Sequence, residues 1–220
     1  MNFTQVGENA IAITVASNRT VECVRAIRSL YSRILQWNVP GIVSVRCGLD
    51  ALLIEHEEKF DPDNLVQALQ EVKPAWEIPP AGSLIRVPVC YEGDLGRDLS
   101  KVAERTGRTP EEVVGLHMSR FYEVWMIGFM PGFPYLGELP EALRMERKSI
   151  PDPNIPAGSV AIAEEYVGIY PFDSPGGWYV LGRTPWNIVD YSKPKPWLFE
   201  CGMQVEFYPI AITDFEKLRA

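Results

Sequence analysis

The chain has 220 residues, 46% of them hydrophobic, and a formal charge of -8 from 21 basic and 29 acidic residues. That length suffices for one large core or two modest ones. The acidic balance argues against a reader of phosphate backbones, which needs clustered Lys and Arg, so nucleic acid is not an expected partner.

Cys23, Cys47, Cys90 and Cys201 are scattered along the chain. No two share the short spacing of a zinc or redox pair, so four reduced, mostly buried thiols are expected. The two histidines, His56 and His117, form no HExxH group, and no structural metal is expected. Met1-Asn2-Phe3-Thr4-Gln5 is not a basic start followed by an apolar run, and no later stretch is long enough to span a membrane. The expectation is a cytoplasmic protein with no membrane partner.

In chain order, Ala10 to Val15 reads as a strand bounded by turn residues, and Thr20 to about Gln36 reads as a helix with Val24, Ile27, Tyr31 and Ile34 on one face. Ile42 to Arg46 and Ala51 to His56 suit a hairpin turned by Cys47-Gly48-Leu49-Asp50. Asp61 as cap and Pro62 at the first helical position open a second helix carrying Leu65, Val66 and Leu69. The order β, α, β, β, α predicts a small α+β domain over residues 1–80. Prolines and glycine between Lys73 and Ser83 predict a linker, with the boundary near Ala81.

The second domain, 81–220, opens with a strand from Leu84 to Tyr91 and a helical stretch carrying Val102, Ala103 and Arg105. Thr109-Pro110-Glu111-Glu112 then supplies a cap, a first-turn proline and two acids at the positive end of a helix running to His117. Beyond residue 120, short candidate strands at Phe121 to Met126, Ser159 to Ala163, Gly168 to Tyr170, Trp178 to Gly182 and Gln204 to Pro209 stand among Gly, Pro and aromatic residues. This texture predicts a mainly-β barrel with functional loops.

Three segments and one histidine are candidates for chemistry. In Ile127 to Gly137, glycines and prolines fix turns around Phe129, Phe133 and Tyr135, with Pro131 and Gly132 at the centre. The segment reads either as packed hydrophobic plugs or as a ligand or partner surface. Gly158 and Ser159 form a small-residue turn whose N–H groups and hydroxyl suit an anion, or a tight turn only. Gly176-Gly177-Trp178 leads through a strand to Arg183-Thr184, where Arg183 is placed to clamp a carboxylate or phosphate, or to pair with a surface acid. His117 stands as a proton-transfer candidate or as a histidine stabilised by its helix dipole. No P-loop or catalytic triad order is visible, so residues alone name no reaction.

Together, Ile127 to Gly137, Ile155 to Val160, Gly168-Ile169-Tyr170-Pro171, Ser174 to Trp178 and Gly182 to Pro185 resemble the family of the B-type subunit of 5-oxoprolinase. That family is also described as allophanate hydrolase subunit 1 and as carboxyltransferase domain, subdomains C and D, and includes Kip-type inhibitors of a sporulation histidine kinase. Val87 to Tyr91 and Val114 to His117 fit the same pattern, so the resemblance spans roughly residues 83 to 210. It implies a cyclophilin-like barrel after an α+β domain, a larger C-type paired subunit and a third, A-type subunit. It also implies ATP-dependent opening of 5-oxo-L-proline to L-glutamate with ATP as co-substrate, and without a P-loop the nucleotide site is expected to be unorthodox or shared with the partner. The alternative it carries is a regulatory inhibitor of a histidine kinase. On the enzyme reading, Arg183 holds carboxylate or phosphate, the Gly158-Ser159 turn offers N–H donors, and His117 assists proton transfer. Asp152 and Asn154 depart from arginines common in relatives, and Tyr166-Val167 from a usual Gln-Thr.

Overall fold

A computed structural model describes residues 1–15, 20–71 and 82–219. The chain divides into two compact units, Met1–Pro80 and Ala81–Ala220. The boundary expected near Ala81, with residues 73–81 of the proline-rich stretch, lies outside the described residues.

In the first unit, β1 (Asn2–Gln5), β2 (Ala10–Thr14), β3 (Ile42–Cys47) and β4 (Ala51–His56) form an antiparallel sheet ordered β1-β2-β4-β3. Helix α1 (Val21–Trp37) and helix α2 (Pro62–Glu71) supply the rest of its core. Burial alternates along β2 and β4, so one face carries Ile11, Ile13, Leu52 and Ile54, and the helices cover it with Ile27, Leu30, Ile34, Leu65 and Leu69. Thr20 caps α1 by accepting the Cys23 N–H at 3.3 Å, and the Asp61 carboxylate accepts the Asp63 N–H at 3.0 Å at the start of α2. Strand β1 is an element the sequence pattern does not mark. It sits at an edge with mostly exposed residues, so it carries little of the alternation that signals a strand.

The second unit holds β5 (Leu84–Val89), α3 (Leu99–Thr106), α4 (Pro110–Met118), β6 (Tyr122–Ile127), β7 (Pro134–Gly137), β8 (Asp152–Ile155), β9 (Ser159–Ala163), β10 (Tyr166–Ile169), β11 (Ser174–Gly176), β12 (Tyr179–Arg183), β13 (Gln204–Pro209) and α5 (Ile212–Arg219). Seven strands run in the order β12-β9-β10-β7-β6-β13-β5, antiparallel except for the β13–β5 pair. The ends of this sheet meet: Cys90 and Arg183 exchange backbone hydrogen bonds of 2.9 and 2.8 Å, which brings the mixed sheet to near closure as a barrel. Its interior carries Val87, Val89, Val124, Leu136, Val160, Ile162, Val167 and Leu181, and α3 and α4 pack Val102, Ala103 and Val113 onto the same core. Strands β8 and β11 form a separate pair beside it.

Helix α4 starts as its sequence predicts, with the Thr109 hydroxyl accepting the Glu112 N–H and the Glu112 carboxylate accepting the Thr109 N–H. None of the four cysteines is in a disulfide: Cys23 and Cys90 are buried, Cys47 is half-buried and Cys201 is exposed, so two of the four are buried where mostly buried thiols were expected. Among the described residues, no helix is long and apolar enough to cross a membrane, and no three His, Cys, Asp or Glu side chains group as metal ligands.

Candidate ligand pocket

The aromatic segment folds as two consecutive turns. Phe129 has a left-handed φ of 69° and lies under a 2.8 Å hydrogen bond from the Met130 N–H to the Gly128 carbonyl. Met130-Pro131-Gly132-Phe133 then turns with Gly132 at φ 80° and the Phe133 N–H on the Met130 carbonyl at 3.1 Å, the geometry of a type II turn with Pro and Gly where that turn requires them. Pro131 and Gly132 therefore shape the loop, while Phe129, Phe133 and Tyr135 meet the cavity. Phe129 is 64% exposed and Phe133 is 1% exposed, so the segment is neither all plug nor all surface.

The cavity has a volume of about 250 Å³. One wall is Phe129, Phe133 and Tyr135, and Tyr170 and Trp178 complete the ring of aromatics. Phe133 packs edge-on against Tyr135, Tyr170 and Trp178 at centroid distances of 5.1, 5.2 and 5.5 Å. The rings approach this closely because Gly168 behind them has no side chain: a Cβ there would run into Phe133 and Trp178. Gly176 likewise leaves room for the Tyr170 hydroxyl. Gly176, Gly177, Pro151 and Pro175 close the remaining side.

Arg147 is the cation of the cavity, and its backbone neighbours hold it in place. The Glu164 N–H donates to the Met145 carbonyl at 2.6 Å, and the Lys148 N–H donates to the Gly177 carbonyl at 2.8 Å. Between these ties the Arg147 guanidinium lies 5.9 Å from the Trp178 ring centre, with Nε 3.1 Å from the Glu164 carboxylate. Burial pushes the Tyr170 hydroxyl up to about 12 and raises that of Tyr135, while the Arg147 charge opposes both shifts. Both phenols are therefore protonated near neutral pH and able to donate. Arg147 belongs to no sequence motif, and proximity to Trp178 is visible only in the fold.

The other sequence candidates fall elsewhere. The Gly158-Ser159 turn is not an open anion site, because its N–H groups are used within the protein: Gly158 donates to the Tyr170 carbonyl at 2.7 Å and Ser159 to the Pro156 carbonyl at 3.1 Å. The Ser159 hydroxyl also donates to Pro156, and the neighbouring Ala157 N–H is taken by the Asp173 carboxylate at 2.7 Å. What the turn does for the cavity is hold the Tyr170 backbone. Thr184 is buried and donates its N–H to the Gly158 carbonyl at 2.9 Å. Arg183 stands at the barrel seam, where its Nε donates to the Ala157 carbonyl at 2.7 Å, and it does not line the aromatic cavity. Partial burial and the charge of Arg219 lower its pKa, and Asp173 opposes them.

His117 is fully buried. Its ring stacks on Phe207 at 4.7 Å, its Nδ1 lies 2.9 Å from the Tyr91 hydroxyl, and burial pushes its pKa down to about 3. A neutral imidazole sealed in the core has no route to a substrate proton, so the proton-transfer expectation is corrected to a packing role.

Asp152 ties two cations: Lys148 at 2.6 Å and Arg97 at 2.8 Å. Lys148 also meets Asp98 at 2.6 Å. Asp152 thus belongs to an ion-pair network and not to the lining of the cavity.

The second unit is thus a nearly closed mixed barrel that carries an aromatic, arginine-edged cavity. The family described as "Carboxyltransferase domain, subdomain C and D" matches residues 1–199, and the chain belongs to it. It is 36% identical over 208 residues to the B-type subunit of 5-oxoprolinase from Haemophilus influenzae, covering 94% of this chain and 97% of that protein. It is 42% identical over 136 residues to the B-type subunit of 5-oxoprolinase from Bacillus subtilis, covering 62% of this chain and 57% of that protein. Among solved structures, TTHA0988 superposes with a TM-score of 0.78 at 32% identity. That match covers 91% of this chain, which spans 40% of the TTHA0988 chain.

Proposed function

We propose that the chain is the B-type subunit of an ATP-dependent 5-oxoprolinase, acting with a larger C-type subunit and a third, A-type subunit. The observation that carries this reading is the near full-length relation to the Haemophilus influenzae 5-oxoprolinase B-type subunit. The aromatic cavity supports it, since a small, partly apolar lactam suits such walls. The resemblance further supports reading the barrel as cyclophilin-like. The relatives' names do not favour the regulatory alternative of a kinase inhibitor.

Opening a lactam requires activation of an unreactive amide. In the reaction proposed, the lactam carbonyl oxygen attacks the γ-phosphorus of ATP and ADP leaves. Water then adds to the phosphorylated carbon and the C–N bond breaks with the nitrogen taking a proton, which leaves the γ-acyl phosphate of glutamate; a second water hydrolyses that acyl phosphate to glutamate and inorganic phosphate. The chain's part is positioning and charge stabilisation. With no P-loop in the sequence, the nucleotide site is either unorthodox or shared with a partner subunit. Arg183 keeps an anion-holding role in this proposal, directed to phosphate, because its Nη atoms have no carboxylate partner among the described residues.

The test is reconstitution of the three subunits with ATP and 5-oxo-L-proline. Coupled release of glutamate and ADP is the expected result. A complete complex that never consumes ATP with this lactam defeats the proposal, and unchanged turnover in Arg183→Ala removes the role of Arg183.

A further inference from the structure

Arg147 is held so that one edge of its guanidinium remains open. Nε is occupied by Glu164 at 3.1 Å, while Nη1 and Nη2 have no hydrogen-bond partner among the described residues. The Tyr135 hydroxyl, in the same cavity, also has none among them. Two donor groups and a floor of aromatic rings thus face a space of about 250 Å³, below the roughly 300–1,000 Å³ of drug-sized ligand sites. An arginine edge matches a carboxylate through two parallel N–H bonds, whereas ring faces match a flat, partly apolar body.

We infer that Arg147 determines substrate specificity: its Nη edge takes the carboxylate of a small lactam acid whose ring lies against Trp178 and Phe133 and whose amide carbonyl accepts from Tyr135. This deepens, and rests on, the reading of the chain as part of a 5-oxoprolinase. The Met145 and Lys148 backbone ties hold the arginine in place before any ligand arrives, which lowers the ordering cost of binding. Glu164 fixes the orientation of the guanidinium while leaving the Nη pair for the ligand.

The test compares Arg147→Gln, Arg147→Lys and Tyr135→Phe in the reconstituted three-subunit complex. Arg147→Gln is expected to raise KM for 5-oxo-L-proline about 10- to 100-fold, the loss of a charged hydrogen-bonded pair, with KM for ATP unchanged. Arg147→Lys recovers part of that loss, and Tyr135→Phe raises KM by roughly 3- to 10-fold. The lactam 2-pyrrolidinone, which lacks the carboxylate, is handled equally by wild type and Arg147→Gln. A KM for 5-oxo-L-proline within twofold of wild type in Arg147→Gln overturns the inference and leaves the proposed function standing. If the wild-type complex shows no turnover, the proposed function fails, and titration calorimetry of the full chain with 5-oxo-L-proline decides the inference alone. Saturable binding abolished by Arg147→Gln then supports a carboxylate site, whereas absence of binding to the wild-type chain overturns it.

Discussion

The Tyr91 hydroxyl lies 2.9 Å from Nδ1 of His117, and the opposite ring nitrogen is sealed in the core without a hydrogen-bond partner among the described residues. Burial holds this imidazole neutral down to about pH 3, whereas the same group in an unfolded chain protonates near its ordinary value of 6.5. The folded pKa is depressed, so below 6.5 the unfolded state binds the extra proton and is favoured. Stability is therefore expected to fall as pH drops from 6.5 toward 3, by about 1.4 kcal/mol per pH unit from this residue alone. His117→Gln, less stable at pH 7, should show a shallower decline. Urea unfolding at pH 7, 6, 5 and 4 checks it, and parallel pH profiles for the two proteins would contradict the assignment.

Gly168 stands where a side chain would strike Phe133 and come within 2.9 Å of Trp178. Gly168→Ala is expected to destabilise the protein by about 1–3 kcal/mol through overpacking. It also displaces the two rings that floor the cavity, so binding of 5-oxo-L-proline should weaken together with stability. Urea titration and calorimetry on the same samples measure the two effects, and wild-type values for both would show that the ring cluster has slack.

Local signals carry much of the fold in the sequence. Thr109 to Glu112 is a complete helix start within four residues, and Ser159 to Ala163 and Gln204 to Pro209 are strands at the expected residues because β-branched and apolar runs hold them. The short strand Pro134–Gly137 reads as loop, since its Pro, Gly and aromatic residues take strand geometry only by pairing between β6 and β10. The pair β8 and β11 has no sequence signature for the same reason, with prolines in both strands and an irregular register. Helix α5 offers a weak pattern, since Phe215 is its only buried residue.

At the site, the two Gly-rich aromatic segments do converge. Arg183 does not join them, because its strand leads to the barrel seam. Arg147 has no signal of its own in the charged run Arg144 to Lys148. Its position is set by long-range ties to Glu164 and Gly177, which sequence spacing does not express.

Asp98 is nearly buried and its Oδ2 accepts from both the Lys148 ammonium at 2.6 Å and the Val180 N–H at 2.8 Å. Removing its charge leaves a lysine whose side chain is 7% exposed, with Asp152 as the remaining counter-ion. Asp98→Asn is expected to cost about 3 kcal/mol, and the double variant Asp98→Asn with Lys148→Met should regain much of it, because an apolar pair avoids stranding one charge. Urea unfolding of the two singles and the double gives the coupling. Additive losses would mean that the pair does not act as a unit.

Phe129 combines a left-handed backbone with an exposed ring at the lip of the cavity. That conformation brings Cβ close to backbone oxygen and costs roughly 1–2 kcal/mol for any residue except glycine. The order of substitution effects should therefore invert: Phe129→Gly is expected to be more stable than Phe129→Ala by about 1 kcal/mol, although glycine normally loses more chain entropy on folding. Both variants remove the ring that packs edge-on against Phe133 at 5.5 Å and against Tyr170 at 6.5 Å, so both should bind 5-oxo-L-proline more weakly than wild type. Comparing urea midpoints of the glycine and alanine variants isolates the backbone cost, since side-chain contacts are lost almost equally in each. A glycine variant no more stable than the alanine variant would mean that the loop relaxes out of the left-handed turn once the ring is gone, and that the Phe129 contacts hold the backbone there.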